Sequence, residues 1–413
     1  MSALAADAGH RIVLSSYADV RDAFRQHDLR QALYDAGGAV MADSLITLHG
    51  DAHKQRRRVE NRLFRRGTFR WWELNLVPGT IERSFAGPLA AGSADLVQLG
   101  RRTIMYLTAM VAGIDPPATD AAAEELEQLA RVFSAGATAV HSTRDPAELN
   151  AEVAAAMAAF DAHFLAPALA RRTELIAEIA AGRRAEDELP RDVLTAALRH
   201  QDQLGMDRDM IRREIAFYLQ AGSHSTANLF THSCHQVFQR LDDPEFAART
   251  TDRAFLQRCV LETLRLHPAS PVAWRRALAT IELRSGIVLP EGALVELDLQ
   301  AANTDPQVWG ADADRFDPDR ELPDGVPPWG HSFGGGTHAC IGMELDGGVH
   351  SVTDRAGDRL QADEHEPVFG TVTLMVHALL EAGARPDPAQ PPTRDPHSSR
   401  ENFSRYPVVF TRS

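Results

Sequence analysis

Hydrophobic and polar positions change period several times along the chain. Residues 11–26 begin with a short alternating run, Arg11-Ile-Val-Leu, and pass to helical spacing from Tyr17 to Phe24. Residues 51–75 keep a helical pattern that is strongly basic, with Arg56, Arg57, Arg58, Arg62, Arg65 and Arg66. Residues 119–180 are rich in Ala, Glu and Leu, and their intrinsic propensity predicts several helices. One long helix is predicted over 207–241, where breakers are few. A shorter one over 252–267 is stopped by Pro268 and Pro271. Between Leu283 and Leu299 β-branched residues alternate between turn signals at Ser285-Gly286 and Pro290-Glu-Gly292, which predicts a small sheet. A Pro-, Asp- and Gly-rich coil fills 305–336, and loops of that length usually carry function. Helical spacing resumes over 371–382. A Pro-rich stretch from Pro386 to Pro396 and a final Tyr-Pro-Val-Val-Phe run follow. No internal repeat is visible. The pattern is mainly α with minor β, in one domain over 1–413.

Composition narrows the function classes. The chain has 413 residues, 43 basic against 57 acidic, for a net charge of −14. An acidic balance argues against nonspecific nucleic-acid binding, which needs a basic stripe. At 44% apolar residues a chain of this length can bury a cofactor-sized cavity. Residues 1–9 lack the basic and apolar regions of a secretory signal, and no run nears about 18 uncharged apolar residues. No membrane anchor is therefore expected, and a cytoplasmic location is. Three cysteines, Cys234, Cys259 and Cys340, exclude a disulfide scaffold and suggest a reducing compartment or a ligand role.

Cys340 stands out by its surroundings, Phe333-Gly-Gly-Gly-Thr-His-Ala-Cys340-Ile-Gly342. The ordinary fate of a free cysteine is that of a small buried hydrophobe. Three consecutive glycines instead serve a chain that bends sharply or approaches something closely. No Lys-Ser/Thr pair follows, so the loop is not a phosphate loop. Backbone N–H groups in such a loop stabilise a thiolate and tune a metal bound to it.

With these residues the chain resembles cytochrome P450, whose cysteine loop reads Phe-x-x-Gly-x-x-x-Cys-x-Gly. Phe333, Gly336, Cys340 and Gly342 fill every fixed position, and Gly334 lies within the loop. Glu262-Thr-Leu-Arg265 resembles the family's Glu-x-x-Arg helix, an i, i+3 pair on one face. His53-Lys-Gln-Arg-Arg57 resembles the His-x-x-x-Arg helix that clasps a haem propionate. Arg275, with Arg276 as a one-residue alternative, and His338 stand where the family puts further propionate partners. Residues 301–320 resemble the family's approach to the cysteine loop. The resemblance implies the cytochrome P450 fold, haem b as cofactor and the Cys340 thiolate as axial ligand of the iron.

Three departures bear on mechanism. The family's Ala-Gly-x-(Asp/Glu)-Thr stretch reads Ala221-Gly222-Ser-His224-Ser225 here, with Thr226 next. The alcohol survives as serine, while His224 takes the place of the proton-delivering acid. A histidine can relay protons, contact substrate or bond a backbone carbonyl. After Cys340 an acidic insertion spans about 346–366, on the face where the family receives an electron donor, often an acidic ferredoxin. Such a segment would repel that donor or cover its dock, or point away as a solvated loop. Finally, His53 comes early, so part of the family's leading helix and strand is missing or rebuilt.

The resemblance implies a monooxygenase acting on a small organic molecule, by analogy with bacterial tailoring enzymes of secondary metabolism, with Ser225, Thr226, His224 and Gly222 at the reaction centre. The missing acid and the acidic insertion motivate an alternative without a reductase: peroxide-driven oxidation, rearrangement, or nitrene-type transfer from an activated N–O substrate. A ferredoxin and its reductase are possible partners. Nucleic acid and membrane are not expected. The cavity is expected to be lined by 39–48, parts of 131–175, 220–226, 269–273 and 402–404.

Overall fold

A computed structural model describes residues 11–137, 139, 144–349, 367–396 and 400–411. The elements run β1 (Arg11–Leu14), α1 (Tyr17–Arg25), β2 (Leu29–Gln31), α2 (Gly38–Met41), α3 (Gly50–Glu60), α4 (Arg66–Asn75), α5 (Val77–Ala91), β3 (Ser93–Asp95), α6 (Leu96–Ala112), α7 (Asp120–Ala137), α8 (Pro146–Phe160), α9 (Ala166–Ala180) and α10 (Val193–Leu204). The long α11 (Arg208–Phe238) follows, then α12 (Pro244–Arg249), α13 (Arg253–Leu266), β4 (Val272–Ala277), β5 (Ile281–Glu282), β6 (Val288–Leu289) and β7 (Leu294–Asp298). The remainder is α14 (Leu299–Ala302), α15 (Pro306–Trp309), α16 (Met343–Gly347), α17 (Thr371–Glu381), β8 (Ala384–Pro386), β9 (Thr393–Arg394), β10 (Phe403–Arg405) and β11 (Pro407–Phe410).

Aspartate starts many of these helices. Asp95, Asp145, Asp192, Asp207, Asp243, Asp252, Asp298 and Asp305 are N-caps of α6, α8, α10, α11, α12, α13, α14 and α15. Each accepts a backbone N–H from the first turn. A short acceptor there satisfies an orphan donor and suits the positive end of the helix dipole. Part of the chain's acid excess therefore serves helix starts.

Helix α11 is the axis of the packing. Its first half joins α7, α8 and α2 in one apolar cluster, and its second half joins α6, α13 and α17 in another. It is buried nearly all round, so its hydrophobicity has no single stripe. The four-stranded sheet has the order β1-β7-β4-β2, with β1 parallel to β7 and the other pairs antiparallel. Strands β3, β11 and β8 form a second, antiparallel sheet, and β10-β9 and β5-β6 are two-stranded.

Residues 146–180, where α8 passes through a π turn into α9, form the one helix among the described residues long and apolar enough to cross a membrane by length and composition. In its most apolar window 39% is buried. Its inner side, with Leu149, Val153, Phe160 and Leu165, belongs to the α7–α11 core.

Candidate functional site

The cysteine loop is held from both sides. Arg265, fully buried at the end of α13, donates from Nε to Glu262 Oε2 at 2.7 Å and from Nη2 to Glu262 Oε1 at 2.6 Å. Its Nη1 reaches the carbonyls of Asn303 and Ala313 at 2.7 and 2.6 Å. Asn303 in turn accepts from His331 N at 2.7 Å and donates to Ser332 Oγ at 2.8 Å, and Ser332 donates to Leu264 O. The Glu-x-x-Arg pair thus fixes the coil that leads into the loop. Cys340 N closes the loop by donating to Phe333 O at 2.8 Å. Phe333 packs edge-on to Trp329. Gly334 and Gly336 have φ of +67° and +63°. At Gly336 a methyl group would collide with the carbonyl oxygen of Phe24, so only glycine lets the loop lie against α1.

Cys340 is exposed, and yet burial pushes its thiol up to about 11. Both hold for a side chain that borders a space inside the protein, open to it while surrounding protein withholds bulk water. Gly342 N–H is bonded to the sulfur and favours the thiolate. His224 on α11 shows the same combination, exposed and yet lowered by burial to about 4. Its Nε2 lies 3.1 Å from Asn228 Nδ2. Ser225 donates to Ala221 O at 2.8 Å. Thr226 Oγ1 points the other way and donates at 3.0 Å to Asp346, a residue of α16 whose carboxyl burial raises to about 7. Gly222 lets α6 come close, since a methyl there would lie 2.9 Å from Thr108 Cγ2.

A cationic corner lies beside this space. His53, buried on α3, stacks at 4.1 Å on His338 from the cysteine loop, and its Nε2 is buried without a partner. Burial lowers His338 to about 3, helped by His53, Arg275, His49 and Arg57. Burial lowers His53 to about 4, helped by Arg57 and His49. Arg275 is buried on β4, over the Phe24 ring, while Arg276 turns out to Gly292 O. Arg57 bonds Asn61 and Arg275 bonds Trp274 O. Neither guanidinium has a carboxylate partner among the described residues. Such a corner could hold one or two anionic groups. Arg58, Arg62 and Arg65 are exposed, as a solvated helix face is.

The cytochrome P450 family model matches residues 231–345, which carry Glu262, Arg265 and the whole cysteine loop. Over these residues the sequence is that of a cytochrome P450. "Probable cytochrome P450 313a1" of Drosophila melanogaster is 33% identical over 135 residues, 29% of this chain and 27% of the relative. "Probable cytochrome P450 313a3" of the same organism is 31% identical over 161 residues, 34% of this chain and 33% of the relative. The chain thus matches a third or less of the length of these curated relatives. Over nearly the whole chain the fold agrees with solved P450 structures. The crystal structure of CalO2 has a TM-score of 0.72 at 20% identity, covering 97% of this chain and 90% of that one. CYP109E1 from Bacillus megaterium in complex with testosterone has a TM-score of 0.70 at 15% identity, covering 97% and 93%. These two likenesses show the fold.

The P450 cofactor is haem held by a cysteine thiolate, and this chain fits it. A cysteine sulfur with an N–H donor faces an internal space. Beside it lies a basic corner whose Arg57 and Arg275 have no carboxylate partner among the described residues, and where one buried imidazole nitrogen is unbonded. Most of the expected insertion, 350–366, lies outside the described residues. Asp346, counted with it from sequence, is instead part of α16 and accepts a hydrogen bond from Thr226.

Sequence reasoning missed one group altogether. Arg56, Glu60, Glu214 and Tyr218 are buried together between α3 and α11. The available signal was Glu214 and Tyr218 at i, i+4 on a long, otherwise apolar helix stretch.

Proposed function

We propose that this P450 is a haem-thiolate monooxygenase of a small organic molecule in secondary metabolism, with Cys340 as the iron ligand. The observation that carries the reading is Cys340, exposed and yet raised by burial, on a loop that Arg265, Glu262 and Asn303 hold in place. Haem supplies the iron at which dioxygen is activated for insertion of one oxygen atom into substrate, and thiolate ligation favours O–O cleavage. The Cys340 proton, held strongly by burial in the free protein, would be displaced to solvent on coordination. His53, Arg57, Arg275 and His338 would take the propionates, and a buried anion there would raise both depressed histidines. Ser225 offers a hydroxyl that already uses its proton on Ala221 O, leaving its lone pairs to accept a proton donor. Thr226 is engaged by Asp346 and supports α16 instead.

A second reading rests on His224. With a pKa near 4 it is neutral at pH 7, so the position where the family keeps an acid holds no readily released proton. That favours substrates or peroxides that bring their own oxidising equivalent and need no reductase.

The test of the ligand is the red-shifted Soret band of the reduced carbonyl complex. Wild type should show it and Cys340→Ala should not. A band that survives in Cys340→Ala refutes the assignment. Turnover with NADPH, ferredoxin and reductase supports the first mechanism, and turnover of an activated substrate without reductant supports the second. His224→Asp should raise product formed per NADPH under the first.

A further inference from the structure

Four side chains meet between α3 and α11, outside the cysteine loop. Glu214 is 0%, Arg56 3%, Glu60 4% and Tyr218 7% exposed. Arg56 Nη1 donates to Glu214 Oε2 at 2.5 Å, and Leu45 N donates to both Glu214 oxygens at 3.2 Å. Tyr218 OH donates to Glu60 Oε2 at 2.5 Å. The two carboxyls are themselves within hydrogen-bond reach of each other. Two carboxylate oxygens cannot bond without a proton between them, and one guanidinium cannot balance two buried negative charges. A single proton on the pair answers both problems.

The same helix carries the basic corner. His53 and Arg57 of α3 face the cysteine loop, while Arg56 and Glu60 turn to α11. Among the described residues, Arg56–Glu214 and Tyr218–Glu60 are the side-chain hydrogen bonds that join the two helices. Where α3 sits, and so where His53 and Arg57 present themselves, is set by that junction together with the packing of α3 on α10.

We infer that Glu60 and Glu214 share one proton and act as positioning residues for the haem site, so that this proton controls how firmly the cofactor is held. The inference rests on the haem-site reading above. Burial raises Glu60 to about 7 and Glu214 well above the carboxylate range, while Arg56 and Arg57 pull both or one of them down. Propionates bound at Arg57 cancel part of its field on Glu60, so the loaded protein holds the shared proton more tightly than the free one. A group whose pKa rises on binding favours binding below its free value and loses that contribution as pH climbs through the bound one. Haem retention therefore weakens as pH rises through and above neutrality, when the proton leaves to solvent and the two carboxylates repel. The other groups facing the pair are Arg56 and Arg57 of α3 and Tyr218 of α11. The segment before α3 gives only the Leu45 N–H, and its Asp43 is paired with Arg213. Tyr218 is itself raised well above its usual value and stays protonated. His53 and His338 titrate on the acid side, near 4 and 3.

The test is transfer of haem from the holoprotein to excess apomyoglobin between pH 6 and 9. Wild type should lose haem several-fold faster at pH 9 than at pH 6. Glu60→Gln keeps an acceptor for Tyr218 and gains a donor to Glu214, so its rate should be slow and flat over that range. Tyr218→Phe removes a bond that lowers the Glu60 pKa, so its rise in rate should move to higher pH. In the infrared, the cofactor-free protein near neutral pH should show a protonated-carboxyl band that weakens in Glu60→Gln, leaving the part that belongs to Asp346. A flat wild-type rate, a wild-type slope in Glu60→Gln, or an unmoved Tyr218→Phe midpoint overturns the inference. Should Glu60→Gln fail to fold, the Tyr218→Phe midpoint decides. A normal carbonyl Soret band with flat haem loss sinks this inference alone. A missing band sinks the haem-thiolate reading and leaves the infrared result to judge the shared proton.

Discussion

Replacing Arg265 with methionine should unfold the cysteine loop's support before it touches the cysteine. The substitution keeps volume and removes every donor. Glu262 would be left as a buried carboxylate with one N–H from Asp317 at 3.1 Å and one long contact from Arg320 at 3.4 Å. Stranding one partner of a buried pair costs about 3–5 kcal/mol. The carbonyls of Asn303 and Ala313 lose short charged bonds, at about 1.5 kcal/mol each. Burying the methionine side chain returns about 2 kcal/mol. The net is a loss of about 5 kcal/mol, a large share of the roughly 5–15 kcal/mol that holds a protein folded. The assay is urea unfolding of the cofactor-free protein followed by tryptophan fluorescence, with bound haem per chain as second readout. Haem should fall with stability, because Asn303 and Ser332 join Arg265 to the loop. Adding Glu262→Gln to the Arg265→Met variant should recover part of the loss by removing the stranded charge. A loss under about 1 kcal/mol, a value typical of a surface pair, would refute the reasoning. So would a double variant no better than the single.

Two further outcomes follow from the packing of the loop and of the buried histidines. Gly336→Ala should be far worse than Gly334→Ala, although both have positive φ. At Gly334 the nearest other atoms to an added methyl are His338 O at 3.7 Å and a Phe24 ring carbon at 3.9 Å, whereas at Gly336 it would strike the Phe24 carbonyl. Thermal unfolding of the two variants checks this, and equal melting temperatures would count against it. The second concerns acid. His224, His267 and His331 are lowered to about 4 and His232 to about 3, in each case chiefly by burial. A folded pKa below the unfolded 6.5 gives stability that is present above 6.5 and lost as pH falls toward 4 and below. The cofactor-free protein should therefore melt at progressively lower temperature from pH 6.5 down. His232→Phe, which keeps the stack on His267, should flatten that decline.

Elements with an internal signal were legible in the sequence. The run without breakers over 207–241 became α11, Pro268 and Pro271 ended α13 close to the expected place, and the period change at Leu283 marked real strands. The basic stretch 51–75 split in two because Asn61 to Arg65 leave the helix between α3 and α4. Helices α5, α6 and α10 escaped. Pro78, Pro88 and Gly92 made the first look like punctuation, and Gly100 and Gly113 masked the second. At the candidate site, groupings made by a local motif were legible as neighbours: Glu262 bonded to Arg265, and His53 and Arg57 on one helix. What depends on distant parts of the chain was not. The choice of Arg275 over Arg276 as the buried arginine is made by the register of β4 against β2 and β7. The engagement of Thr226 by Asp346 joins positions 120 residues apart. The Glu60–Glu214 pair joins two helices whose patterns each look ordinary.

The same distinction makes the acidic segment testable by excision. Its two flanks are fastened to each other: Val349 N donates to Val368 O at 2.8 Å. Gln257 Nε2 on α13 donates to the carbonyls of Gly347 and Val368 at 3.0 and 3.1 Å. Glu73 on α4 accepts Phe369 N and Gly370 N at 3.2 and 2.9 Å. Gly348 and Gly370 abut so closely that a methyl on either would meet backbone of the other flank. The fold is thus closed across the point where 350–366 departs. Loop closure depends only weakly on length, so a two-residue join of Val349 to Pro367 should cost no more than about 1 kcal/mol. The deleted residues carry five acids against two arginines, and losing that net negative charge lowers repulsion toward an acidic donor. Stopped-flow reduction by a ferredoxin should therefore be faster in the excised protein, and the gain should shrink as salt screens the charges. A folded, haem-loaded variant reduced at the wild-type rate would show that the segment neither repels the donor nor covers its dock.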